Sequence, residues 1–243
     1  MNEHWSVARE LVITFARKLQ AERLVYSTSG NLSCRVSGSP HLVAVTPTAM
    51  EYDLITPDDV PIVALAAAPG ETGESGESGE PGGVVDGRRA PTSEWPLHAG
   101  LYARPEIGAV VHTHGKAVMT MANLGWRLPP ILTGLCEATG GDVLTSPYAR
   151  PGTPALVEAV RPALRERGAT FLRYHGLLAY GADLPHAFHT AAVVEGACEV
   201  YLALRAHGEV HELPAEEVEY IAGFWRAQFA SPPGAPQPGI MAR

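Results

Sequence analysis

Two histidines stand two residues apart in Ala109-Val110-Val111-His112-Thr113-His114, within an apolar run that reads as a β-strand. Residues i and i+2 of a strand project from one face, so His112 and His114 can present their imidazoles to a single cation. Among 10 histidines such spacing also arises by chance, and the pair alone is a weak signal. A third histidine strengthens it: His175, in Tyr174-His175-Gly176, ends another apolar run, a position from which side chains reach into a site at a sheet edge. Three protein nitrogens with one exchangeable position is the arrangement in which zinc acts as a Lewis acid, whereas structural zinc is closed by four ligands rich in cysteine. Cys34, Cys136 and Cys198 are too few and too widely spaced for a closed zinc site or a disulfide framework, and they read as reduced, buried thiols.

The other histidines carry less. His207 and His211 have helical spacing but are interrupted by Gly208, which weakens a helix there, and they read as surface residues. His186 and His189 fall in the first turn of a long helix. His98 lies one turn after Glu94, where packing or support of a ligand is the natural reading, and His4 and His41 have no local signal. Three loops are rich in hydroxyls: Ser27-Thr28-Ser29-Gly30-Asn31, Thr46-Pro47-Thr48-Ala49 and Thr92-Ser93. Each is an ordinary turn by itself; together they offer hydroxyls and backbone amides that could hold a phosphate without any lysine.

Alternating elements must position these groups. Val7, Leu11, Phe15 and Leu19, with Ala8, Val12 and Ala16 beside them, predict an apolar stripe on a helix over residues 4–22. Strand-like runs at 31–36 and 41–46 flank Ser37-Gly38-Ser39-Pro40, which suits a hairpin, and a third run covers 60–66. Pro91-Thr92-Ser93-Glu94 opens a helix to about Arg104 through a Ser/Thr cap and an acidic first turn. A strand at 108–113, a helix at 154–167, strands at 170–174 and 177–180, and a helix from Leu184 to His207 capped by Asp183 complete the pattern. Strands interleaved with helices, some in hairpin pairs, predict an α/β layered domain with a mainly antiparallel or mixed sheet.

With 243 residues and 46% hydrophobic content the chain suits one domain over 1–243. The stretch at 68–83 repeats a Gly-Glu-Ser theme without a large apolar residue and reads as a flexible surface insertion, and 231–243 as a disordered tail. A net charge of -8 gives no basic surface for a nucleic acid. Charges spread through the N-terminal helix rule it out as a signal peptide or membrane span, so a cytoplasmic address is expected.

Taken in order, TSGNLS at 28–33, VTPTAMEYDLITPDDV at 45–60, PTSEWPLH at 91–98, EIGAVVHTHG at 106–115, SPYARPGT at 146–153 and YHGLLAYG at 174–181 resemble the class II aldolase/adducin family, over residues 5–205. The resemblance implies a three-layer αβα fold around a mostly antiparallel sheet, and a fourfold-symmetric homotetramer with active sites between neighbouring subunits. It implies one zinc ion, or another divalent metal, per subunit on His112, His114 and His175, with Glu94 as resting ligand and acid/base. It places Gly30, Asn31, Thr48, Ala49, Thr92 and Ser93 around a substrate phosphate. The reaction implied is reversible cleavage of a ketose 1-phosphate, of the L-fuculose 1-phosphate type, to dihydroxyacetone phosphate and an aldehyde. Glu94, where the family's epimerases carry aspartate, and Trp95 favour cleavage over epimerisation. A dehydratase or decarboxylase on the same site is the alternative among enzymes, and a non-catalytic adducin-like module would be expected to lack the ligands. Ala49 replaces a family glycine, while Thr133, Gly134, Pro151 and Gln228 stand where aldolase aromatic residues would be, with Tyr220, Trp225 and Phe229 near the last. The aldehyde partner is thereby left open.

Overall fold

The computed structural model describes residues 3–65 and 83–229; the predicted insertion, except for residue 83, and the predicted tail lie outside them. The first helix, α1 (Glu3–Ala21), buries Ala8, Val12, Phe15, Ala16 and Leu19 and leaves Val7 and Leu11 exposed. A strict four-residue series drifts off one face of a helix with 3.6 residues per turn, so the buried stripe is not the series that begins at Val7.

Seven strands form one sheet: β1 (Asn31–Val36), β2 (Ser39–Val45), β3 (Ile62–Ala64), β4 (Val84–Asp86), β5 (Ala109–Thr113), β6 (Ala169–Leu172) and β7 (Gly176–Gly181). Their order is β4-β3-β2-β1-β5-β7-β6, and each neighbouring pair is antiparallel. The third predicted strand, expected over 60–66, is confined to Ile62–Ala64, with Pro57–Asp59 forming a 3-10 turn before it. The other helices are α2 (Trp95–Leu101), α3 (Lys116–Leu124), α4 (Thr133–Thr139), α5 (Pro154–Leu164), α6 (Leu184–His207) and α7 (Ala215–Gln228). Of these, α3, α4 and α7 were not anticipated.

Strand alternation sorts the core into two layers. Leu42 and Ala44, Ala109 and Val111, and Leu177 and Ala179 join α1, α3 and α6 in one cluster; Val43 and Val45, Val110, and Leu178 and Tyr180 join α2, α5 and Trp225 of α7 in the other. This is the αβα arrangement, with buried apolar side chains on both faces of the sheet. Helix α6 is long and apolar enough to span a membrane by length and composition, and here it packs against β5, β6 and β7. Asp183 caps it as expected, accepting from the His186 amide. The Glu195 carboxylate on α6 accepts from the Ala117 and Val118 amides at 2.9 and 3.0 Å, fixing the start of α3 just beyond His114. Cys34, Cys136 and Cys198 are free and buried.

Candidate active site

His112 continues the Val110 face of β5, the face that looks toward α2, and pairs across the strands with Asn31 of β1. His114 lies just past the end of β5. His175 does not end a strand as predicted: β6 stops at Leu172, Tyr174 takes φ +59°, and His175 sits in the turn before β7. That turn approaches β5 closely, because a Cβ on Gly176 would lie 2.2 Å from the Thr113 carbonyl oxygen and 2.7 Å from His114 Cδ2. The glycine therefore lets the third imidazole join the other two. Ligand nitrogens of His112, His114 and His175 all lie within 4.8 Å of one another.

Hydrogen bonding shows what these nitrogens lack. His112 Nδ1 lies 2.8 Å from the Leu177 carbonyl oxygen, which can only accept, so Nδ1 carries a proton and a neutral His112 has a bare Nε2. That Nε2 faces His114 Nε2 at 2.8 Å and Glu94 Oε2 at 3.1 Å, while His175 Nε2 lies 3.5 Å from Glu94 Oε1. Glu94 Oε1 is buried without a hydrogen bond, despite that 3.5 Å approach. Several lone pairs converge with too few protons between them, and a divalent cation fits this donor set of three imidazoles and a carboxylate. Burial first, then the neighbouring His112, pushes His175 down to about 4 and His114 down to about 3, so both rings are neutral, the form that ligates a metal. For Glu94, burial works toward the neutral acid, but its attraction to His112 and His175 whenever either ring takes up a proton, and the bond from Asn31, outweigh it and hold the carboxyl well below the usual range.

Glu94 reaches the site because it is the N-cap of α2 and makes no side-chain cap bond. The helix does not begin at a Ser/Thr cap as predicted, nor run to Arg104; Pro96 in its first turn has no amide that needs capping, and the carboxylate turns inward. Asn31 Nδ2 donates to Glu94 Oε2 at 2.9 Å, and Asn31 Oδ1 lies 2.6 Å from His98 Nε2. His98 is fully buried and bonded to Ser33, which bonds to Tyr102. Ser33 and Tyr102 were missed in the sequence, although Glu94, His98 and Tyr102 are spaced by four and Asn31 and Ser33 by two.

The three hydroxyl-rich loops come together. Thr46 exchanges bonds with Leu32, the Thr92 amide donates to the Thr46 carbonyl at 3.0 Å and the Thr48 amide to the Ala90 carbonyl at 3.1 Å. Gly30 takes φ +74°, and a Cβ there would press on Val25 and the His112 carbonyl. Thr92 is buried and its Oγ1 accepts from the Glu94 amide at 3.3 Å, while Thr48, Ala49 and Ser93 are exposed. Ala49 takes φ +50°, the left-handed conformation a glycine would adopt freely. The C-terminal aromatics do not gather here: Trp225 is buried against Tyr180 and Phe229, and Tyr220 is exposed and stacked edge-on with Phe224.

A cluster of three imidazoles and a carboxylate at the ends of interior strands of an antiparallel sheet defines a centre that could hold a metal. Residues 10–202 match the Class II Aldolase and Adducin N-terminal domain. The chain belongs to the class II aldolase and adducin family, and is an aldolase of that metal-dependent group, a carbon-carbon lyase. It is 33% identical over 215 residues to 5-deoxy-D-ribulose 1-phosphate aldolase of Bacillus thuringiensis serovar kurstaki, covering 88% of this chain and 93% of the relative. It is 31% identical over 231 residues to 5-methylthioribulose-1-phosphate/5-deoxyribulose-1-phosphate aldolase of Rhodospirillum rubrum, covering 93% and 96%. Among solved structures, an L-fuculose 1-phosphate aldolase superposes with a TM-score of 0.80 at 30% identity, covering 90% of this chain and 96% of that one.

Proposed function

We propose that this chain is a zinc-dependent aldolase that reversibly cleaves a ketose 1-phosphate to dihydroxyacetone phosphate and an aldehyde. The observation that carries the reading is the convergence of His112, His114, His175 and Glu94 beside three joined hydroxyl loops. One cation per chain would be held by the three histidines, with Glu94 as a fourth ligand at rest. When bound it supplies Lewis acidity, stabilising negative charge that develops on a substrate oxygen.

The chain's own residues do the rest. Gly30, Asn31, Thr48, Ala49, Thr92 and Ser93 receive the phosphate through amides and hydroxyls, with no lysine among them. As the bond between C3 and C4 breaks, its electron pair stays with C3, and C4 becomes the aldehyde carbon as its hydroxyl proton passes through water to the Glu94 carboxylate. Glu94 Oε1, the oxygen without a hydrogen bond, delivers a proton to C3 and removes it in the reverse direction. The names of the relatives and the absence of family aromatics at Thr133, Gly134, Pro151 and Gln228 favour an aldehyde with a small or apolar tail, so 5-deoxypentulose 1-phosphates stand beside L-fuculose 1-phosphate as substrates. The assembly that goes with this reading is a fourfold-symmetric homotetramer in the cytoplasm.

Release of dihydroxyacetone phosphate from a panel of ketose 1-phosphates, with zinc-loaded and chelated protein, tests the proposal. Release that depends on metal supports it and ranks the aldehydes. No release from fully metallated protein would end the aldol reading and favour dehydration, decarboxylation or epimerisation at the same site.

A further inference from the structure

Two periodicities meet across the site. Asn31 and Ser33 are two residues apart on β1, an advance of about 6.6 Å. Glu94, His98 and Tyr102 are four apart along α2 and its two caps, an advance of about 6 Å per step. The near match lets the side chains interleave from helix to strand and back: Glu94, Asn31, His98, Ser33 and Tyr102 are joined in that order at 2.9, 2.6, 2.8 and 2.8 Å. All five are buried, so water does not compete for these bonds.

Chemistry fixes the direction of each bond. An ionised Glu94 only accepts, so Asn31 presents Nδ2 to it and Oδ1 to His98. Because Oδ1 only accepts, His98 Nε2 carries the proton. Nδ1 of the neutral ring is then bare and accepts from the Ser33 hydroxyl, which leaves Ser33 to accept from Tyr102. Burial keeps His98 neutral, its pKa pushed down to about 3. Every donor in the chain points toward Glu94.

We propose that His98 is a positioning residue: held by Ser33 and Tyr102, it locks the Asn31 amide with Nδ2 toward Glu94, so that one oxygen of the proton-transfer carboxylate is held and the other is free. What Glu94 does rests on the aldolase reading, whereas the direction of the bonds does not. Without the lock the amide can rotate and set Oδ1 against the carboxylate, two acceptors face to face.

Two measurements on the full, zinc-loaded chain test this. Nitrogen-15 NMR of labelled histidine should show His98 protonated at Nε2 and bare at Nδ1. In steady-state cleavage assays, His98→Leu should lower kcat about ten- to a hundredfold at unchanged metal content. KM should stay within about twofold, as expected when a group acts mainly in the transition state. His98→Gln, whose amide can accept from Ser33 and donate to Asn31, should restore most of kcat. The opposite tautomer would overturn the proposal, as would equal losses of kcat and melting temperature in both variants. If the wild type cleaves no ketose 1-phosphate, the aldolase reading fails, and the tautomer still decides the lock.

Discussion

The Nε2 atoms of His112 and His114 face each other at 2.8 Å, with Nδ1 of His112 committed to the Leu177 carbonyl. Two imidazole nitrogens at that distance need a proton or a cation between them, or they repel. Adding zinc at a hundred times its Kd should therefore stabilise the fold by about 2.7 kcal/mol. His112→Ala should remove both that gain and the bound metal. Thermal melts with and without zinc, paired with metal analysis of each protein, check this; an unchanged response in the variant would refute the ligand assignment.

Glu94→Gln keeps the size of the side chain and one oxygen for the cation, but removes the base proposed for the reaction. Metal content should stay near that of the wild type, while exchange of the C3 proton of dihydroxyacetone phosphate in heavy water slows by about a hundredfold or more. NMR integration of that proton reads the rate. Near-normal exchange would take Glu94 out of the chemistry.

Ala49 holds φ +50°, where a Cβ crowds the following carbonyl. Ala49→Gly relieves that crowding, offset by the greater freedom of glycine in the unfolded chain, for a net gain of about 0.5–1 kcal/mol. Urea unfolding measures it. A loss of stability would show that the methyl packs favourably despite its backbone.

Neutral His98 ties stability to pH. Its folded-state pKa, about 3, lies below the ordinary 6.5, so as pH falls the unfolded chain takes up a proton that the folded chain refuses. The stabilising contribution is complete above about pH 6.5 and fades toward acid, at about 1.4 kcal/mol per pH unit for one proton. His98→Gln should lose stability less steeply between pH 6 and pH 4. Parallel slopes in denaturant titrations of the two proteins would contradict the buried neutral ring.

Much of the site could be read from the chain because its signals are local. His112 and His114 advertise themselves through strand alternation, Asp183 through its position before a long helix, and the hydroxyl loops through composition. The ordered motifs implied the fold that the sheet displays. What stayed hidden depends on distant partners. Ser33 and Tyr102 look like an ordinary strand serine and helix-end tyrosine until burial brings them to His98, whose ring is 65 residues from Ser33 in sequence. The start of α2 was misplaced because Ser93 and Thr92 fit a cap by type, whereas the proline at its head and the inward turn of Glu94 decide the matter. His175 was assigned to a strand end because the positive φ of Tyr174 leaves no signature in a non-glycine residue.

The donor groups of the centre come from two layers: imidazoles from β5 and the turn before β7, and a carboxylate from the head of α2. A cation held among them, as proposed above, would act as a rivet between helix and sheet. On its removal the strands would keep their ladder, but α2 would lose a fastening at its N-terminus and could breathe away from the sheet. Amide hydrogen exchange should then quicken along Trp95–Leu101 before it does in Ala109–Thr113, and resistance to heat should follow the supply of the cation.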